Sequence, residues 1–286
     1  MADVAIIGAG ELGGTLAHVL ARSDVARTIH LVDDAGRVAE GKALDIMQSA
    51  PIEHFATRVS GATEMTLAGG ASLVLVADRA DSTDGPSGGE WRGDQALMLL
   101  KRIAQLGGSP VIVWASPGGR EPIERGVREL KCARDRLFGS APEALASAVR
   151  AIVAIETGGS PRDIALTVLG VPPAQVVVPW EDATVGGLAA TGVLDEPTRR
   201  RLAARVAALW PPGPQALARA AAKAADAIFG RSRQSIAAFV APDDSNGRRT
   251  RAAALPVQLG SAGIARVERP RLNSRDRIAL DNAMLL

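Results

Sequence analysis

No tyrosine, a single cysteine and no histidine beyond position 54 mark this chain of 286 residues. Cys132 alone excludes an internal disulfide and a cysteine-rich metal site. The histidines are His18, His30 and His54, so the last four-fifths of the chain offers no imidazole for proton transfer. No apolar run reaches the roughly 18 residues of a membrane span. The N-terminus passes through Asp3 into a strand pattern, which predicts no secretory signal. Lysine is scarce as well, four of the 33 basic residues, and the net charge is only +2. The chain as a whole is therefore not a polyanion binder, and a cytoplasmic location is expected.

An apolar fraction of 47% is ordinary for a globular chain, and 286 residues can bury a large core. Residues 3–8 form a short apolar run ending in glycine, the pattern of a buried parallel strand. Glu11 to Arg22 has helical spacing, with Leu12, Leu16, Val19 and Leu20 on one side. Strands are expected at 28–33, 56–60, 72–77 and 110–115, with helices near 39–49 and 91–106. This alternation predicts a doubly wound parallel sheet over residues 1–141. Beyond it, a helix near 142–154 leads to strands at 164–169 and 175–178. Helices near 196–210 and 214–229 come next, separated by Pro211, Pro212 and Pro214. Strands near 235–241, 254–258 and 263–268 and a final helix over 274–285 complete an α+β second half, residues 142–286.

Gly8-Ala9-Gly10-Glu11-Leu12-Gly13 is a G-x-G-x-x-G motif between a strand and a helix, the context in which it binds a dinucleotide. The glycines permit a tight turn, close backbone approach to a diphosphate, and close helix–strand packing. Asp33 ends the second strand 20 residues after Gly13, placed to accept from ribose hydroxyls. Asp34 adds repulsion of a 2′-phosphate, so NAD is expected rather than NADP. A glycine turn needed only for packing is the ordinary alternative.

Gly8 to Gly14 with Thr15-Leu16-Ala17, and then Gly41-Lys42-Ala43-Leu44-Asp45-Ile46, resemble the malate/lactate dehydrogenase family, in particular bacterial malate dehydrogenases of the lactate-dehydrogenase type. Val168-Leu169-Gly170, Leu255-Pro256-Val257, Gly263 to Val267 and Leu272-Asn273-Ser274 continue the likeness along the chain. The resemblance implies a Rossmann domain followed by a substrate domain, and a homodimer or homotetramer formed through the helix holding Gly41 to Met47. It implies a chemistry of four groups: a histidine that takes the hydroxyl proton, an aspartate that orients it, an arginine that clamps the substrate carboxylate, and loop arginines. Aligned on the matching segments, the loop arginine positions hold Ser82 and Gly88. The aspartate and clamp arginine fall on Leu145 and Ala148. The histidine falls within Val171-Pro172-Pro173-Ala174. The asparagine after the fifth strand is Ser116, and the Thr-Ala-Gly after the fourth is Ala77-Asp78-Arg79. These last two positions, with the glycine motif, Asp33 and Asp34, form the expected cofactor-binding set; no catalytic residue is assigned.

General acid–base catalysis contributes on the order of 10²–10⁴-fold, so this combined loss predicts no useful turnover of malate or lactate. An active NAD-dependent oxidoreductase on a different substrate is the alternative, with Glu181, Asp182 or an acid of the loop 81–90 as base. The ordinary reading of that pair is surface charge. Arg79 and Arg92 flank the acidic, glycine-rich loop 81–90 and are candidates for a relocated positive charge or surface cations. His18 reads as a helix-surface or packing residue, and Cys132 as a packed thiol. The arginine clusters at 199–201, 248–251 and 269–277 carry no interleaved aromatics and read as solvated faces, so nucleic acid is not expected.

Overall fold

The computed structural model describes residues 2–80, 89–243 and 251–285. The first half runs β1 (Asp3–Ile7), α1 (Glu11–Arg22), β2 (Thr28–Val32), α2 (Gly36–Glu53), β3 (Arg58–Ala62), β4 (Leu73–Val76), α3 (Gly93–Gln105), β5 (Val111–Trp114), α4 (Arg120–Leu130) and β6 (Leu137–Gly139). The six strands are parallel and lie in the order β3-β2-β1-β4-β5-β6. The order reverses between β1 and β4, the switch point outside which α/β sheets bind ligands. Central strands are apolar throughout because both faces are covered: Val4, Ala5, Ile6, Leu73, Val74 and Leu75 are all fully buried.

The second half begins with α5 (Ala141–Thr157), then β7 (Ile164–Ala165), β8 (Leu169–Val171), β9 (Gln175–Val177), β10 (Thr184–Val185), β11 (Leu188–Ala189), the short α6 (Ala190–Val193), α7 (Glu196–Arg205) and α8 (Pro214–Ile228). It closes with β12 (Ile236–Val240), β13 (Ala253–Gly260), β14 (Gly263–Val267) and α9 (Ser274–Met284). β12 pairs antiparallel with β6 through Phe239↔Gly139 and Val240↔Phe138, and so extends the parallel sheet through β13, β8 and β9. β10 pairs with β7 and β11 in a separate three-stranded sheet. The larger core runs from Val4 and Leu73 across to Leu217, Ile228 and Phe239, so it includes residues of both halves. A smaller core gathers Leu145, Val149, Val153, Trp180 and Leu202. α8 packs against α1 and α5, and Ala218, Ala221, Ala222 and Ala225 are among its buried residues.

Most expected elements lie where the pattern places them, and the departures have local causes. The expected strand 164–169 breaks at Leu166, whose carbonyl is taken by Arg150 Nε and Nη2 instead of a neighbouring strand. The helix expected to reach 210 ends at Arg205 and tightens to a 3₁₀ turn over Val206–Leu209. α4 was hidden by Pro122 and Gly126, although Ile123, Val127 and Leu130 have helical spacing. At Gly126 the helix approaches Leu100 and Leu137 so closely that a Cβ would meet them at 2.7 and 2.8 Å.

Gly13 sets the tightest contact in the first half. A Cβ there would lie 1.9 Å from the carbonyl oxygen of Gly8. Gly13→Ala is expected to destabilise the fold by about 3 kcal/mol or more. Gly41, in the middle of α2 with nothing within 4 Å of its Cβ position, is the control. Gly41→Ala should stabilise by roughly 0.5–1 kcal/mol in the same denaturant titration. Asp24 joins three segments: its Oδ1 accepts from Ala56 N at 2.8 Å, Thr57 N at 2.9 Å and Thr57 Oγ1 at 3.0 Å, and its carbonyl accepts from Arg231. The Ala56 amide, more than any other group, holds this carboxyl below its ordinary value. A depressed folded-state pKa stabilises above the unfolded value, and that stability is lost as pH falls through the folded one. Asp24→Asn is therefore expected to lower the melting temperature at neutral pH and to flatten its fall in acid.

Candidate functional site

The carboxyl ends of β1, β2 and β4 meet at the switch point. The chain leaves β1 through Gly8, at φ +108°, a backbone conformation that suits glycine. Gly10 then caps α1. Lys42, from α2, donates through Nζ to the Gly10 carbonyl at 2.5 Å and so pins the turn from below. Sequence reasoning placed Lys42 in a matching segment but gave it no task. Directly against this turn lies the segment Ala77-Asp78-Arg79-Ala80, which follows β4.

Asp33 is almost fully buried. Its Oδ2 accepts from Ala9 N at 2.7 Å and Ala80 N at 2.9 Å, and its Oδ1 from Ala35 N at 2.8 Å. It thus ties the glycine turn to the segment after β4. Asp34, next in the chain, is exposed. Asp78 is half-buried, with its carboxylate on the first turn of α1: Oδ1 accepts from Gly13 N at 3.0 Å and Oδ2 from Leu12 N at 3.3 Å. The Asp78 carbonyl accepts from Gly10 N at 2.8 Å. Glu11 is exposed at the start of the helix. Ala77 is buried and continues the ladder to the Ile7 carbonyl. Arg79 lies over the Trp91 ring, 5.1 Å from its centroid. Ser116, after β5, is buried and accepts through Oγ from Trp114 Nε1 at 2.9 Å.

The structure thus brings Gly8, Ala9, Gly10, Leu12, Gly13, Asp33, Ala77 and Asp78 together around one turn. In residue type this arrangement fits a dinucleotide: a glycine turn, free of side chains at Gly8 and Gly10, facing helix amides and an acidic residue at the end of β2. Glu90, the last acid of the loop 81–90, accepts from Gly118 N at 3.3 Å in the turn after β5 and pairs with Arg92 at 2.8 Å. Arg92 is thereby held beside an acid. Ser82, Gly88 and the rest of the loop 81–88 lie outside the described residues, as do 248–250.

Leu145 is fully buried in the smaller core, and Ala148 lies two turns before Ile155 on the same helix. Val171 ends β8, and Pro172 to Ala174 make the turn to β9. Glu181 accepts from Asn273 Nδ2 at 3.2 Å and Asp182 from Arg271 N at 2.5 Å, so this pair ties its loop to the segment before α9. His18 pairs with Glu53 at 2.8 Å, His30 meets Ser60 Oγ at 2.9 Å, and His54 is exposed at the end of α2. Burial pushes the Cys132 thiol up, away from the reactive thiolate. Arg200 and Arg201 pair with Glu196 and Glu156. Among the described residues no cluster of His, Cys, Asp and Glu could hold a metal, and no helix is long and apolar enough to cross a membrane.

A cavity of about 730 Å³ opens in the second half and touches none of the glycine-turn residues. Its lining includes Glu143, a buried carboxylate that accepts from Lys223 at 2.8 Å, Arg150 at 3.0 Å and Ala237 N at 2.9 Å. It joins α5, α8 and β12.

Residues 2–90 match the family described as lactate/malate dehydrogenase, NAD binding domain. The chain is 29% identical to a malate dehydrogenase of Thioalkalivibrio sulfidiphilus, over 99% of this chain and 96% of that protein. A malate dehydrogenase structure from Salinibacter ruber superposes with a TM-score of 0.86 at 22% identity, covering 98% of this chain and 93% of that one. The lactate dehydrogenase of Cryptosporidium parvum, solved with lactic acid and NAD, superposes with a TM-score of 0.86 at 18% identity over 99% and 94%.

Independently of any ligand, Glu143 sets an expectation. Glu143→Ala leaves Arg150 and Lys223 facing each other without a shared acceptor and the Ala237 amide unpaired. The loss is expected to be about 3 kcal/mol, read as a lowered denaturant midpoint.

Proposed function

We propose that this chain, whose residues 2–90 match the lactate/malate dehydrogenase NAD binding domain and which resembles malate dehydrogenases along its length, is a member of that family that takes NAD but lacks the hydride-transfer machinery, a pseudoenzyme toward malate and lactate. The observation that carries this reading is the absence of any histidine after His54. Leu145, Ala148 and the segment Val171 to Ala174 add support, because they put apolar side chains where the family's aspartate, arginine and histidine are expected. Bound NAD would supply a hydride acceptor, but this chain offers no histidine of its own to take the hydroxyl proton beside it.

The proposed cofactor contacts are Gly8, Ala9, Gly10, Glu11, Leu12 and Gly13 on the diphosphate, Asp33 and Asp34 toward the ribose, and Ala77, Asp78, Arg79 and Ser116 after β4 and β5. Residues 1–141 serve as the nucleotide half and 142–286 as the former substrate half. The reading includes a homo-oligomer and a cytoplasmic location. What supports the oligomer is α2, which exposes Val38, Leu44 and Ile52 at 42%, 61% and 78%.

The test is oxidation of malate and lactate with NAD at saturating substrate. No NADH above the uncatalysed background is expected. Turnover in the ordinary enzyme range, about 1–10³ s⁻¹, would sink the proposal.

A further inference from the structure

The turn that fits NAD in residue type already holds an anion of the chain's own. The Asp78 carboxylate accepts from Gly13 N and Leu12 N. These are amides of the first turn of a helix of 12 residues, with no partner within the helix itself. A Cβ on Gly10 would lie 2.4 Å from the Asp78 carboxyl carbon and from its Oδ2. The carboxylate therefore fills the space that the absent Gly10 side chain leaves open. The backbone runs alongside it: Gly10 N donates to the Asp78 carbonyl, and a Cβ on Gly8 would meet that same oxygen at 2.4 Å. The Asp33 bond to Ala80 N draws the rest of the segment against the glycine turn.

We infer that Asp78 is an internal competitor for the diphosphate of NAD, so that the nucleotide binds only when the Asp78 carboxylate leaves the amides of the first turn of α1. This rests on the NAD-binding reading and adds an autoinhibitory contact to it. A diphosphate and a carboxylate are both anions seeking the same N–H donors. They cannot share them, and like charges at this spacing repel. The apparent affinity for NAD is then the intrinsic affinity reduced by the fraction of molecules with Asp78 displaced. Substitution of Asp78 should therefore act with opposite signs in the two states. The ligand-free protein loses two hydrogen bonds, while the liganded one loses a competitor. A residue with a purely structural role would only weaken the protein.

The experiment is calorimetric titration of the full chain and of Asp78→Ala and Asp78→Asn with NAD and with ADP-ribose, beside ligand-free melting. Asparagine keeps the shape and guards against a misfolded alanine variant. The expected result is a dissociation constant at least about tenfold lower in both variants for both ligands, with a lower ligand-free melting temperature. Equal dissociation constants in all three proteins would overturn the competition and leave the NAD reading standing. No binding of either ligand by any of the three proteins would overturn both.

Discussion

Backbone amides at the carboxyl edge of a parallel sheet need acceptors, and here two carboxylates supply them. Asp33 serves Ala9, Ala35 and Ala80; Asp78 serves Leu12 and Gly13. With them, the ends of β1, β2 and β4 are held as one unit around the turn at Gly8. Lys42 completes it by taking the Gly10 carbonyl from the α2 side. The same amides that make a helix N-terminus attractive to phosphate make it attractive to any nearby carboxylate. Ligand recognition and self-recognition thus draw on one set of donors.

In the second half, charged side chains take part in the packing. Leu145 faces an apolar core, while its helix neighbours Glu143 and Arg150 meet each other at 3.0 Å. Glu143 is a buried charge that is tolerable because it has two cationic partners and a backbone amide. Arg150 also closes the Leu166 carbonyl and thereby ends the strand begun at Ile164. The charges of α5 thus join secondary-structure elements to one another, as do Glu181 and Asp182 in binding the segment before α9.

The first half was largely legible because buried parallel strands write themselves as short apolar runs, and the glycine spacing fixes the turn between β1 and α1. The place of Asp33 just after β2 was legible by its distance from Gly13, but its bonds to the Ala9, Ala35 and Ala80 amides were not. The position of Asp78 after β4 was legible from the likeness, but its carboxylate on the α1 amides was not. That contact joins residues 65 and 66 apart, and no local pattern encodes it. Glu143 was missed for the same reason: its partners come from α5, α8 and β12. α4 was missed through its proline and glycine, which read as punctuation although packing against Leu100 and Leu137 uses the glycine. The strand over 164–169 failed because a distant arginine outcompetes a ladder partner for one carbonyl.

The pairing of β6 with β12 makes a single sheet of what sequence divides in two, and Phe239 of β12 meets Trp210, which precedes α8, edge-on at 6.0 Å. Phe138, fully buried, sits in the strand where the two halves join. Severing the chain there would lay open a strand edge and an aromatic core together. The halves therefore share a fate in unfolding: cooperativity belongs to the whole sheet, and proteolytic fragments of either half would be sticky intermediates rather than small folded proteins.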